Sequence, residues 1–171
     1  MTTAQATDVG EIRVLRQQAR AAYGVLQKNT EGLTQEDSLV QPRAGGNCLN
    51  WVVGHLVYVG DTVLPVVGQE PVLGTEVLRR YARGSAELRD GAEALPLEEL
   101  LRAAQEQGAR FDAGLAGLTA ERLDEPAPFS PQKRADETVR SLLTTAMFHQ
   151  AYHTGQAGLL RRIAGREGRI G

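Results

Sequence analysis

The chain has 171 residues and a formal net charge of −2, with 42% hydrophobic and 23% charged residues. This length predicts one domain with a full core, and the absence of a basic field argues against nucleic-acid binding. Its apolar stretches fall short of the roughly 20 residues of a membrane span, and the N-terminus lacks the basic and apolar regions of a signal peptide. The single cysteine, Cys48, excludes an internal disulfide and indicates a cytoplasmic protein.

The first half of the chain contains two predicted helices, in which apolar residues recur at helical spacing. The first runs from about Asp8 to Asn29, with Asp8 as its N-cap. Glycine and proline then recur between residues 30 and 46, which predicts a loop. The second helix is predicted from about Asn47 to Val67 and ends at Gly68.

Two further helices are predicted in the second half. The third runs from about Leu97 to Leu118, with acidic residues in its first turn, where the helix dipole favours them. The fourth begins after an Asp136 cap, continues through Arg162 and meets Gly165 as a C-cap. No segment sustains the alternating pattern of a strand, so the predicted fold class is all-α.

A long connection joins helices two and three. It extends from Gly68 to Pro96 and holds only a short helical patch around Glu76–Tyr81. Antiparallel neighbours in a bundle need only about 2–8 residues between them, so this crossover is expected to make the two helices parallel. The sequence predicts a single four-helix-bundle domain over residues 1–171, with residues 1–7 and 166–171 frayed.

The three histidines of the chain are the candidate metal ligands. His149 and His153 are four residues apart, which places them one turn apart on one face of the fourth helix. His55 lies on the apolar face of the second helix. A single histidine on an apolar face is more often a hydrogen-bonded core residue than a ligand. Three such imidazoles all need polar partners, however, and one divalent ion would satisfy all three. Three nitrogen ligands leave coordination positions open, as in catalytic sites.

Other polar residues near the histidines were weighed as ligands or supporting groups. Cys48 precedes His55 by two helical turns, about 10 Å, so it is expected to be a buried apolar residue and not a ligand. Asp61 is offset around the helix from His55 and is expected to be a solvated or capping acid. Tyr58 and Gln156 are candidate catalytic residues that orient a bound water or substrate, and the same role is considered for Thr62. Interhelical hydrogen bonding is the alternative for these residues.

The motif Asn47-x-x-x-Trp51-x-x-x-His55-Leu56, followed by His149-x-x-x-His153-x-Gly155-Gln156, resembles the DinB/YfiT-like superfamily. The resemblance spans most of the chain. It implies a four-helix bundle with up-down-down-up topology and one divalent metal ion held by His55, His149 and His153. Nickel or zinc is the metal most often bound in this family, and iron or manganese is also considered.

The resemblance also implies a reaction class. Several relatives are thiol-dependent transferases or isomerases that use bacillithiol or mycothiol, and others are stress-response proteins without demonstrated activity. The implied partners here are a small thiol and an electrophilic substrate, with Arg43 and Arg134 as candidate charges for a carboxylated thiol. A homodimer is a weaker implication of the family.

Two other functions stay open at this stage. A metal-dependent hydrolase would need a carboxylate base, like the glutamate of His-Glu-x-x-His, but Gln150 follows His149. A non-catalytic metal-binding bundle, acting as a sensor, store or interaction module, would normally use four protein ligands for a structural zinc. The missing base disfavours hydrolysis, and the presence of only three evident ligands disfavours a structural site, so thiol transfer is the preferred prediction.

Overall fold

A computed structural model describes residues 3–89 and 91–170, with side chains from Gly10 onward. Within these residues the chain forms α-helices and 3-10 turns but no strand, which confirms the predicted all-α class. Residues 1, 2 and 171 of the predicted frayed ends lie outside the described part. No helix in the described part is both long and apolar enough to span a bilayer.

The described residues form four long and two short α-helices. Their bounds are α1 (Thr3–Thr30), α2 (Gln35–Leu39), α3 (Leu49–Val63), α4 (Leu97–Ala116), α5 (Ala120–Asp124) and α6 (Val139–Ile163). The second predicted helix continues beyond α3 only as a 3-10 turn, Leu64–Val67, where Pro65 occupies an early position. The predicted patch at Glu76–Tyr81 is reduced to a 3-10 turn, Arg79–Tyr81.

The helix starts differ from the predicted ones. Asp8 is not an N-cap, because α1 already begins at Thr3. The cap of α6 is Thr138 and not Asp136: the Thr138 side chain accepts from the Ser141 backbone N–H, and the Ser141 side chain accepts in return. A reciprocal capping box satisfies two backbone donors that a helix start leaves free. The predicted C-cap at Gly165 is off by one residue, since Ala164 is the C-cap and Gly165 follows it with φ 77°.

The four long helices pack as a bundle in which α1 and α3 each contact both α4 and α6. The contacts between α3 and α4 are those of a parallel pair. Near their N-termini, Asn50 Nδ2 donates to the Leu95 carbonyl at 3.0 Å. Further along both helices, Gln107 Nε2 donates to the Val57 carbonyl at 2.7 Å. α3 is buried along nearly all of its length, so it forms the centre of the bundle.

The start of the crossover between α3 and α4 is held by a buried carboxylate. Asp61 is only 1% exposed and accepts backbone N–H bonds from Val72, Leu73 and Gly74 at 2.7–2.9 Å. Gln107 donates to the same carboxylate at 2.7 Å. Of the two roles expected for Asp61, a solvated acid and a capping acid, the solvated one is therefore wrong. These bonds compensate its burial and fix the direction in which the crossover leaves α3.

Candidate metal centre

The packing of α3 against α6 brings the three histidines together. One ring nitrogen from each of His55, His149 and His153 lies within 4.8 Å of the others. His55 is buried at 5% exposure. His149 and His153 are half-buried. The histidine of α3 is therefore shielded from solvent, whereas the two histidines of α6 are partly exposed to it.

Two of the three imidazoles are oriented by hydrogen bonds through Nδ1. His55 Nδ1 donates to the Tyr81 carbonyl at 2.8 Å, and His153 Nδ1 donates to Gln156 Oε1 at 2.8 Å. Because these oxygens are acceptors, both bonds place the ring proton on Nδ1. With the proton on Nδ1, Nε2 of His55 and of His153 carries the lone pair, which is the usual arrangement of metal-binding histidines. His55 Nε2 in turn contacts His149 Nε2 at 3.1 Å.

The separation between two ring nitrogens fits a metal ion. His55 Nε2 and His149 Nε2 are 3.1 Å apart, a separation that two nitrogens about 2.0–2.1 Å from one zinc ion can have. The donor set is three imidazoles, and no carboxylate of the described residues belongs to the cluster. Such a set suits a divalent transition-metal ion such as zinc, copper, iron or nickel.

The crossover supplies contacts that sequence reasoning missed. Tyr81 is fully buried; its carbonyl orients His55, and its hydroxyl donates to Asn50 Oδ1 at 2.9 Å. The ring of Tyr81 lies against Gly54, where an added Cβ would come within 2.2 Å of the ring. A glycine inside an otherwise apolar helix can signal such a close approach. That signal was present in the sequence next to His55.

Trp51 extends the site along α3. Its ring stacks on the His55 imidazole with a centroid distance of 4.8 Å and an interplanar angle of 16°. Its Nε1 donates to Ser85 Oγ at 3.0 Å. Both ends of the crossover segment from Tyr81 to Ser85 thus bind to residues of α3. Tyr81 binds His55 directly, and Ser85 binds Trp51, whose ring stacks on His55.

Electrostatics keep the imidazoles neutral. Burial lowers the pKa of His55, His149 and His153, and that of His149 falls to about 4. Mutual repulsion and the charge of Arg83 lower the pKa values of His55 and His149 further. Neutral imidazole is the form that ligates a metal. At neutral pH the cluster is ready to bind a cation without first losing protons.

The other candidate residues have mixed positions. Gln156 contacts His153, as described above, whereas half-buried Tyr58 packs against the apolar core. Thr62 donates to the Tyr58 carbonyl within α3. Cys48 is fully buried and absent from the histidine cluster, as expected. Arg134, a candidate charge for the thiol, forms an ion pair with Asp136 at 3.1 Å. The arginine whose charge lowers the pKa of His149 is Arg83.

A separate groove of about 1110 Å³ lies between α1 and α4. It is lined by residues such as Tyr23, Leu101 and Arg102, and none of the histidines contributes to it. The chemistry-bearing residues are therefore between α3 and α6, beside the crossover, and not in this groove.

Comparison with known proteins agrees with this architecture. The sequence model of the DinB superfamily matches residues 18–157, which include all three histidines. Among solved structures, a conserved protein from Enterococcus faecalis is similar with a TM-score of 0.66 and 16% sequence identity. That similarity covers 89% of this chain and 95% of the other, and at this identity it shows the fold alone. No curated protein matches the sequence.

Proposed function

The chain belongs to the DinB superfamily, and on that premise we propose that it is a divalent-metal-dependent enzyme that transfers a small thiol to an electrophilic substrate. The observation that carries the proposal is the cluster of three ring nitrogens within 4.8 Å, which no carboxylate of the described residues joins. Neutral ligands leave the full charge of a bound cation in place. Thiols such as bacillithiol, mycothiol or glutathione are the proposed donors, in a cytoplasmic setting.

His55, His149 and His153 are the proposed ligands of one nickel or zinc ion. When bound, such an ion supplies the positive charge that lowers the pKa of a coordinating thiol, so that thiolate forms at neutral pH. The Tyr81 carbonyl and Gln156 hold two of the imidazoles with the proton on Nδ1, so that Nε2 carries the lone pair for a metal. Gln156 acts in this proposal as a positioning residue for His153, and Tyr58 is the proposed contact for the acceptor.

The reaction needs no separate base from the protein once the thiol is ionised. The sulfur forms a bond to the electrophilic carbon, the leaving group departs with the electron pair of its bond, and the thiol proton passes to solvent. Hydrolysis is less well supported because no aspartate or glutamate that the structure describes belongs to the histidine cluster. At the position of a His-Glu-x-x-His glutamate, the chain has the buried Gln150.

Metal content is the first experiment. Purified wild-type protein should retain close to one equivalent of nickel or zinc by elemental analysis. His55→Ala, His149→Ala and His153→Ala should each lose most of it, because each removes one of three ligands. Leu159→Ala, a truncation at an exposed position of α6, is the control for the fold and should keep the metal. Equal metal content in wild type and all three histidine variants would rule the site out.

Turnover is the second experiment. Bacillithiol, mycothiol, glutathione and coenzyme A are each combined with monochlorobimane, whose chloride is displaced by the thiol to give a fluorescent product. Metal-loaded wild type should exceed both the uncatalysed rate and the rate of His153→Ala with at least one thiol. If the protein binds metal but no pair shows metal-dependent turnover, a non-catalytic sensor or store becomes the better account. Sedimentation of the same sample tests the proposed homodimer.

A further inference from the structure

The segment from Tyr81 to Ser85 is held against the histidine site at both ends. At one end, the Tyr81 carbonyl accepts from His55 Nδ1 at 2.8 Å. At the other end, Ser85 Oγ accepts from Trp51 Nε1 at 3.0 Å, and Trp51 stacks on His55. Between them, Gly84 turns the chain with φ 82°. Arg83 is thus carried by a short anchored segment whose two ends touch His55 and the ring stacked on it.

Arg83 differs from the other arginines of the crossover. Arg79, Arg80 and Arg89 pair with Glu76, Glu93 and Glu87, respectively. Arg83 is exposed and forms no hydrogen bond or ion pair with any residue that the structure describes. It lies two residues from Tyr81, whose carbonyl contacts His55, and two residues from Ser85, which contacts Trp51. A guanidinium that has no partner among the described residues is available for a ligand.

The charge balance of the site favours an anion. The cluster consists of three histidines with no aspartate or glutamate among the described residues that could join it. With neutral imidazoles, a bound divalent cation and Arg83 are both uncompensated by protein carboxylates. A ligand that brings two negative groups, one for the cation and one for the guanidinium, would complete this balance, and guanidinium groups match carboxylates in geometry.

We propose that Arg83 binds a carboxylate of the molecule that occupies the histidine site, so that the site selects carboxylated ligands over neutral ones. The inference rests on the proposed function in one respect, namely that the negative group for the cation is a thiolate. Either the thiol or the acceptor can carry this carboxylate. The test therefore compares three molecules: one with both a thiol and a carboxylate, one with a thiol only, and one with a carboxylate only.

The experiment uses Co²⁺-loaded full-length protein and three small probes: 3-mercaptopropionate, 2-mercaptoethanol and propionate. Dissociation constants come from calorimetry, and the cobalt absorption spectrum reports whether sulfur reaches the metal. Wild type should bind 3-mercaptopropionate about fivefold more tightly than 2-mercaptoethanol, the preference expected for a partly solvated ion pair. Arg83→Gln should abolish the preference, and Arg83→Lys should keep part of it. Arg79→Gln, which removes a charge from the same crossover, should leave it unchanged.

The outcomes separate the two proposals. An unchanged preference in Arg83→Gln would overturn the role of Arg83 even if both thiols bind. If neither thiol perturbs the cobalt spectrum, the thiol-transfer function fails. Binding of propionate that weakens in Arg83→Gln would then still support a carboxylate site on the acceptor side. If propionate binds equally to Arg83→Gln and to wild type, Arg83 does not bind a carboxylate of the acceptor either.

Discussion

The indole of Trp51 lies flat on the imidazole of His55, with ring centroids 4.8 Å apart. Because Trp51 is the single tryptophan of the chain, the candidate metal centre has its own fluorescent reporter. Most of this ring is buried, so its emission should respond to events at His55 more than to solvent. This contact gives a direct way to follow metal binding without an activity assay.

We predict that Co²⁺ or Ni²⁺ quenches Trp51 fluorescence at close to one equivalent, because their unfilled d shells accept excitation energy at short range. Zn²⁺ has a filled d shell and should compete for the site with much less quenching. Titration of metal-free protein measures the effect. His153→Ala should shift the midpoint to higher metal concentration, and an unshifted midpoint would place the quenching ion elsewhere.

A second prediction concerns Gln156, whose Oε1 accepts from His153 Nδ1 at 2.8 Å. Gln156→Met keeps the length of the side chain but removes the acceptor, so metal affinity should fall by about 10–100-fold. Competition with a chelator of known affinity measures the loss. Gln156→Glu keeps an oxygen acceptor and should retain binding. If the methionine variant binds as tightly as wild type, the hydrogen bond has no positioning role.

A third prediction concerns the close approach of the crossover to α3. At Gly54 an added Cβ would lie 2.2 Å from the Tyr81 ring, so Gly54→Ala must displace the residue that orients His55. We expect a loss of about 1–3 kcal/mol in the free energy of unfolding, with weaker metal binding. Chemical denaturation and metal titration measure the two effects.

Gly155→Ala is the matched control for that prediction. Gly155 is also a helical glycine near the site, but an added Cβ there meets nothing within 4 Å. Alanine should therefore raise the free energy of unfolding by about 1 kcal/mol, since glycine is the weaker helix former. Equal effects of the two substitutions would mean that the contact with Tyr81 does not limit position 54.

A fourth prediction concerns pH. Burial lowers the pKa of all three histidines, and that of His149 to about 4, whereas an unfolded histidine titrates near pH 6.5. Below pH 6.5 the unfolded chain therefore binds more protons than the folded chain. The free energy of unfolding of the metal-free protein should fall as the pH drops from about 7 to about 4. Chemical denaturation at a series of pH values measures this slope.

His149→Gln provides the comparison for the pH series. The variant lacks the histidine with the most strongly lowered pKa, so its stability should depend less on pH between about 7 and 4. Carboxylates contribute equally to both proteins and cancel in the difference. Parallel profiles for the two proteins would show that His149 titrates in the folded state as it does when unfolded.

Much of the candidate site could be predicted from residue spacing. His149 and His153 are neighbours because four residues make one helical turn, and that relation depends on no other part of the chain. The existence of the four long helices follows in the same way from apolar periodicity. The short helices α2 and α5 were missed, although Thr34 and Thr119 cap them, because five residues are too few for periodicity to register.

Local periodicity and the donor chemistry of side chains are enough to predict the helical class and the three candidate histidines. The 3.1 Å contact between His55 and His149 follows instead from how α3 packs on α6, and no rule of residue spacing gives that packing. The contacts of Asp61 and Tyr81 depend in the same way on the path of the crossover. Asp61 accepts from backbone N–H groups of that irregular segment, and the Tyr81 carbonyl accepts from His55, so hydrogen bonds between residues far apart in the sequence set both contacts.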